Sequence, residues 1–159
     1  MASRKRPAKR AKAATRPTSR AAARAERAER WAAEIAERSR RNRLAGPRSS
    51  LGRLRKICLS FAGAHEVEAW GEPTFRVNNK IFAIHTSASS HHGGGRPAVW
   101  IYSVHVEQDL VIRARPDRYF KPPYVGPSGW IGAWIDKSPP WSELAVLLED
   151  GYERRRKGK

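Results

Sequence analysis

The side chains of this chain best suited to chemistry are cations, and they lie at its two ends. Residues 1–50 hold 16 Lys/Arg against 4 Asp/Glu, residues 51–153 hold 11 of each, and Arg154-Arg-Arg-Lys-Gly-Lys159 closes the chain, for a net charge of +17. Guanidinium and ammonium groups in such excess over acids neutralise phosphates, so a polyanion is the expected partner. The candidate contacts are Arg4, Lys5, Arg6, Lys9, Arg10, Lys12, Arg16 and Arg20 in the arm, and Arg154, Arg155, Arg156 and Lys157 in the tail. Within the neutral body, Arg76 and Lys80 flank an expected hairpin turn and Lys121 precedes Pro-Pro-Tyr, three further positions from which a phosphate can be reached. Contacts of this kind give affinity without reading sequence, and no helix-turn-helix or zinc module is visible.

The second group is aromatic. Residues 117–135 contain five aromatics, three prolines and three glycines in nineteen positions. Pro122-Pro123 keeps the backbone extended, and Gly126-Pro-Ser-Gly129 supplies a turn. From Trp130 the residues alternate, with Ile131, Ala133 and Ile135 on one side and Trp130, Gly132 and Trp134 on the other. Large rings are usually buried, so a helix lying over the two indoles is the expected arrangement. The alternative is a binding platform for a ligand, a protein or a base, formed by Tyr119, Tyr124, Trp130 and Trp134.

Acid–base and metal chemistry find little support. His65, His85 and His105 accompany Glu66, Glu68 and Glu72, but no nucleophile–base spacing is recognisable; no catalytic residue is assigned, and an enzyme is not expected. His91-His92 lacks an H-x-x-x-H pair or an acidic clamp, and Gly93–Gly95 is not followed by the helix a phosphate loop requires, so no metal and no cofactor is expected. Cys58 is the single cysteine, which excludes an intrachain disulfide; within an apolar stripe it reads as a small buried hydrophobe. No apolar run approaches a membrane span, and residues 1–25, though rich in Arg and Ala, lack the hydrophobic centre of a secretory signal. The expectation is a monomer in the cytoplasm, nucleoid-associated if the source is bacterial.

Three segments must position these groups: an arm (1–48), a domain (49–153) and a tail (154–159). Residues 1 to about 20 have almost nothing to bury and are expected to be disordered. Ala21–Leu44 favours helix, with Glu26–Arg30, Glu34–Arg38 and Glu37–Arg41 at i,i+4; its only large apolar residues are Trp31, Ile35 and Leu44, so it is expected to project from the body. Ser49 or Ser50 caps a helix whose Leu51, Leu54, Ile57, Cys58 and Phe61 face a core, ending near Gly63. Asn78-Asn79 is a two-residue turn joining Thr74–Val77 to Lys80–Thr86. That register sets Phe75 against Phe82 and Val77 against Lys80, with Phe75, Phe82 and Ile84 in the core and Thr74, Arg76, Ala83 and His85 on a polar face. Ala98–His105 reads as an interior strand, Glu107–Arg115 as a helix stopped by Pro116, and Ser138-Pro-Pro-Trp-Ser-Glu as the start of a helix lined by Leu144, Leu147, Leu148 and Tyr152.

These residues also resemble a family. Arg55-Lys-Ile-Cys58, Trp70-Gly-Glu-Pro-Thr-Phe-Arg-Val77, Lys80-Ile-Phe-Ala83, Asp117-Arg-Tyr-Phe-Lys-Pro-Pro-Tyr-Val-Gly126 and Gly129-Trp-Ile-Gly132, followed by a Trp-x-Glu-Leu helix, resemble the MmcQ/YjbR-like family over residues 49 to 153. The resemblance implies an α+β domain of CyaY-like fold, a twisted antiparallel sheet packed on helices, and brings with it the family's DNA-binding label. The iron binding suggested by a CyaY-like fold would need an acidic first helix, where this chain has Arg53, Arg55 and Lys56. The basic arm and the cationic tail both depart from the family pattern. The sequence therefore reads as a non-enzymatic, sequence-nonspecific nucleic-acid-associated protein, with DNA ahead of RNA as partner. The alternative is a small-ligand or protein-binding module that uses the Tyr124/Trp130 aromatic face, the arm only localising it.

Overall fold

A computed structural model of the chain describes residues 19–90 and 94–158. Along it run helix α1 (Arg20–Leu44), helix α2 (Ser50–Cys58), strands β1 (His65–Ala69), β2 (Glu72–Val77), β3 (Lys80–Thr86) and β4 (Ala98–Ile101), helix α3 (His105–Ala114), strand β5 (Tyr119–Phe120), a single 3₁₀ turn (Gly126–Ser128), strand β6 (Ile131–Trp134) and helix α4 (Trp141–Arg156). The strands form one antiparallel sheet in the order β1-β2-β3-β4-β6-β5, which makes the architecture α+β. Contacts divide the chain between Ala33 and Glu34. The expected disorder before residue 19 lies outside the described residues, as do the candidate contacts Arg4, Lys5, Arg6, Lys9, Arg10, Lys12 and Arg16. Arg20 opens α1.

Pairing sorts the side chains of the sheet into two faces. Glu66, Phe75, Ala83, Ile101 and Ile131 are successive partners across five strands, and His85, Val99, Ala133 and Tyr119 form the next row. Together with Leu51, Leu54 and Cys58 of α2 and Leu144, Leu148 and Tyr152 of α4, these rows supply most of the main core. Partners share a face, so the opposite side carries Val67, Thr74, Ile84, Trp100, Gly132 and Phe120 in one row and Ala98 with Trp134 in the next.

The turn at Asn78-Asn79 forms as expected, both residues at positive φ (49° and 61°), which asparagine tolerates better than most residues. Beyond it the register departs from the sequence reading. Val77 pairs with Lys80 and Arg76 with Ile81, but Phe75 pairs with Ala83, leaving Phe82 as an extra residue in a bulge. A bulge changes the parity of every residue beyond it. Phe82 stays in the core against Phe61 and Tyr152, Ala83 and His85 move to the core side, and Ile84 goes to the other face instead of the core.

The second departure concerns α1. Its residues from Glu34 onward do not project, and what fastens them is polar. Arg38 donates to the Trp70 carbonyl (3.0 Å) and lies 3.5 Å from Glu72, Asn42 donates to the Gly71 carbonyl (2.8 Å) and to Glu72 (3.0 Å), and Ser39 donates to Glu68. All three are buried. The approach is close enough that a side chain on Gly71, which has φ +78°, would meet the Ile35 carbonyl at 2.8 Å. An apolar periodicity search cannot see such an attachment, because the buried residues are an arginine, a serine and an asparagine.

Candidate nucleic-acid interface

Three cations of the chain meet residue 81 by pairing, sequence or hydrogen bond. Arg76 is the cross-strand partner of Ile81, Lys80 is its chain neighbour, and Arg155 of α4 donates from Nε to the Ile81 carbonyl at 2.9 Å. Helical spacing delivers Arg155 there: Leu144, Leu148, Gly151 and Tyr152 are the buried residues of α4, and 155 continues the same side. Gly151 permits the approach, since a Cβ on it would sit 2.7 Å from the Tyr102 carbonyl. The Arg155 guanidinium then lies 3.6 Å from the centroid of the Tyr102 ring and 5.7 Å from that of Trp130. The hairpin tip and the end of α4 are joined again where Asn78 donates to the Arg156 carbonyl (3.2 Å).

These cations differ in how they are neutralised. Arg154 is paired with Asp150 and lies 3.7 Å from Glu107, while Arg156 (2.9 Å) and Lys157 (3.2 Å) share Glu153. Those pairs hold the Glu153 carboxyl below its usual range, the Arg156 hydrogen bond first and that of Lys157 next. Arg76, Lys80 and Arg155 have no carboxylate partner among the described residues; Arg76 donates instead to Thr74 Oγ1 (3.1 Å). Lys121 does not join them. It follows β5, four strand spacings or about 19 Å across the sheet from β2, with its stem against Gly126.

Beside this cluster lies the second face of the sheet, where Ala98, Trp100 and Trp130 are buried among Ile81, Ile84, Tyr102, Phe120, Val125 and Trp134. Every one of those residues comes from a strand or a loop. The expectation that a helix covers the indoles is therefore corrected. The rings cover one another, Phe120 stacking on Trp134 (4.1 Å between centroids) and Tyr102 meeting Trp130 edge-on (5.5 Å), while Arg96 lies 4.5 Å over Trp134 and Arg155 over Tyr102. Gly132 makes room for Phe120, whose ring would stand 2.5 Å from an added Cβ. Arg96 is itself held at 2.7 Å by Asp136, and that hydrogen bond lowers the Asp136 carboxyl to about 2.

Of the four aromatics named for a platform, the structure keeps two near this face and displaces two. Trp130 and Trp134 belong to it, Trp130 buried and Trp134 half-buried. Tyr119 points the other way, into the main core, where its hydroxyl donates to Glu143; burial first, and that hydrogen bond second, push its pKa up. Alternation in β5 explains the exchange: with Tyr119 inward, Phe120 is the ring that faces Gly132. Tyr124 is 75% exposed and has φ +64° in the turn after Pro123. Two residues that the sequence reading did not single out support the site from behind. Tyr102 underlies Arg155, and the buried amide of Gln108 donates to the Gly126 (2.8 Å) and Trp130 carbonyls, holding the turn that begins β6.

The histidine and glutamate candidates are separated by the fold. His65 Nδ1 lies 3.3 Å from the Gly63 carbonyl and His105 Nε2 2.8 Å from that of Pro127. His85 alone meets one of the acids, Glu72, at 3.0 Å. Glu72 also accepts from Asn42, from the Ser87 backbone N–H (2.8 Å) and from its hydroxyl. Burial raises the Glu72 carboxyl, and the His85 and Ser87 hydrogen bonds outweigh it, for a net lowering. With both lone-pair regions of its carboxylate occupied and almost no exposure, this centre fastens α1 to the sheet and offers no open face to a substrate. Cys58 is fully buried, and burial raises its thiol far above the reactive range, as its place in the apolar stripe suggested. Among the described residues no group of three or more His, Cys, Asp or Glu is placed to hold a metal, and no helix is long and apolar enough to cross a membrane.

An antiparallel sheet packed against helices is the fold that the resemblance implies, here with six strands. The family model YjbR matches residues 59–154, and the chain belongs to that family. Among solved structures it is similar to the crystal structure of the Deinococcus radiodurans protein DR2400, which carries a DUF419 domain, with a TM-score of 0.58 at 16% identity over 72% of this chain and 84% of that one. That likeness concerns the fold. No curated protein matches the sequence.

Proposed function

We propose that this protein is a non-enzymatic, nucleic-acid-associated member of its family that binds phosphate backbones through its cationic ends, without sequence readout and with DNA ahead of RNA. The observation that carries the reading is that Arg76, Lys80 and Arg155, the cross-strand partner, chain neighbour and hydrogen-bond donor of Ile81, have no carboxylate partner among the described residues, whereas the adjoining Arg154, Arg156 and Lys157 are paired with Asp150 and Glu153. Cations that the body leaves unneutralised at one place attract a polyanion more strongly than the same number dispersed in ion pairs. Residues 1–33, with 11 Lys/Arg and 2 Asp/Glu, would supply most of the remaining electrostatic affinity. Lys121 is left out of this surface.

The test is a salt titration of binding to duplex DNA, single-stranded DNA and RNA. On this reading log affinity falls linearly with log salt, with a slope of about −0.9 per duplex phosphate neutralised and about −0.7 for single strands. A chain that binds none of the three at low salt would refute it. The second reading, a ligand- or protein-binding module, draws on the aromatic face; in that case a partner is recovered whose binding is indifferent to salt and sensitive to Trp134.

A further inference from the structure

Three consecutive tail arginines occupy three different environments. Arg154 and Arg156 are each tied to carboxylates, whereas Arg155 is fixed by two contacts that leave its charge intact: its Nε bonds the Ile81 carbonyl and its Cζ lies over the Tyr102 ring, 3.6 Å from the centroid. Neither contact uses the two Nη groups. A guanidinium held in this way keeps its fork oriented before any ligand arrives, so little side-chain entropy is lost on binding. Arg76, the cross-strand partner of Ile81, raises the positive potential on that face, while Lys80 pairs with Val77 and shares the opposite one. Next to it lie Ile81 and Ile84, each only half-buried and both part of the aromatic cluster. The cations call for an anionic group, and the flat apolar surface beside them calls for a planar ring. Duplex DNA offers phosphates but keeps its bases stacked inside, while a single strand presents both within one nucleotide.

Building on the nucleic-acid reading, we propose that this corner of the sheet is a single-strand site: the Arg155 fork takes a backbone phosphate, assisted by Arg76, and an unpaired base stacks on the guanidinium plane that Tyr102 leaves free, against Ile81 and Ile84. Tyr102, Arg155 and the base then form a three-layer stack. The role assigned to Arg155 depends on its planarity and its fork as well as on its charge, so lysine is not a substitute for it.

The experiment measures binding of the full chain, at one low salt concentration, to a single-stranded oligo(dT), to an abasic strand with the same number of phosphates, and to a duplex of equal length. The unchanged protein is compared with Arg155→Gln, Arg155→Lys, Arg156→Gln and Tyr102→Leu. The expected result is oligo(dT) bound about tenfold more tightly than the abasic strand, the gain available from roughly one stacked base. Arg155→Gln, Arg155→Lys and Tyr102→Leu should each erase that ratio, with the affinity for the abasic strand changed less than about threefold, since one of many phosphate contacts is touched. Arg156→Gln should leave the ratio intact. If the unchanged protein binds oligo(dT) and the abasic strand equally, the single-strand site is wrong while phosphate binding stands. If Arg155→Lys keeps the full ratio, charge alone suffices and the site is equally wrong. Absence of binding to all three ligands overturns both readings. Should Arg155→Gln fail to fold, Arg155→Lys and Tyr102→Leu decide the matter.

Discussion

The two faces of one sheet are built by different means. On the first, Phe75, Ala83, Ile101, Ile131 and their neighbours are aliphatic or aromatic residues at zero exposure beneath α2 and α4. On the second, indoles and phenyl rings are covered by one another and by the guanidinium groups of Arg96 and of Arg155 from α4, with no apolar helix residue in the cluster. A helix excludes water from the surface it covers, while an arginine lying on a ring shields it and keeps a charge at the surface. The first face therefore carries most of the buried core, and the second keeps charge beside its rings.

The sharpest way to break this comparison is to make the same kind of truncation on both sides. Leu148→Ala on the helix-covered face should cost about 2–5 kcal/mol, whereas Ile84→Ala, half-buried on the aromatic face, should cost roughly 1 kcal/mol; equal losses in urea denaturation would mean that the two faces are not energetically distinct. Gly132→Val should follow, at about 1–3 kcal/mol, because Phe120 must leave its seat 2.5 Å from the new Cβ and its stacking on Trp134 is lost with it. A melting temperature indistinguishable from that of the unchanged protein would contradict the packing described.

Acid gives a third test, centred on Glu72. Its carboxyl has a lower pKa folded than in the unfolded chain, where 4.5 is the ordinary value, so its contribution is present above about pH 4.5 and is lost as pH falls through the folded value. Unfolding midpoints should drop below pH 4.5, and Glu72→Gln should begin less stable and show a shallower drop; parallel pH profiles would remove Glu72 from the account. The smallest effect belongs to Arg96→Gln. It removes a part-buried ion pair and a cation–π contact, and should lower stability by about 1 kcal/mol or less while exposing Trp134 to a fluorescence quencher. Unchanged quenching would show that Arg96 does not cover the ring.

Much of this was legible in the chain. The stripe of α2, the Asn78-Asn79 turn and the alternation from Trp130 to Ile135 follow from local periodicity and turn chemistry, and each is present in the structure. The bulge at Phe82 was not, because an inserted residue leaves composition and periodicity almost unchanged while reversing the parity beyond it. Composition names Tyr119 for the platform, and only pairing with β6 decides which of two adjacent rings, Tyr119 or Phe120, faces which side. The docking of α1 through Arg38, Ser39 and Asn42 was hidden for the opposite reason: polar residues signal exposure until their partners are known. Arg155 was named as one tail cation among several, yet the 148, 151/152, 155 spacing along α4 already set it apart from Arg154 and Arg156.

One measurement bears most directly on the proposal that cationic ends bind a phosphate backbone. The salt dependence of duplex DNA binding is recorded for the full chain and for residues 34–159, a cut that keeps Arg38 and Asn42 on Glu72. With 11 Lys/Arg and 2 Asp/Glu removed, the slope of log affinity against log salt should become shallower by several units, and affinity at low salt should fall similarly for unrelated sequences. Equal affinity and equal slope for the two proteins would contradict the account and shift the contact to the domain alone.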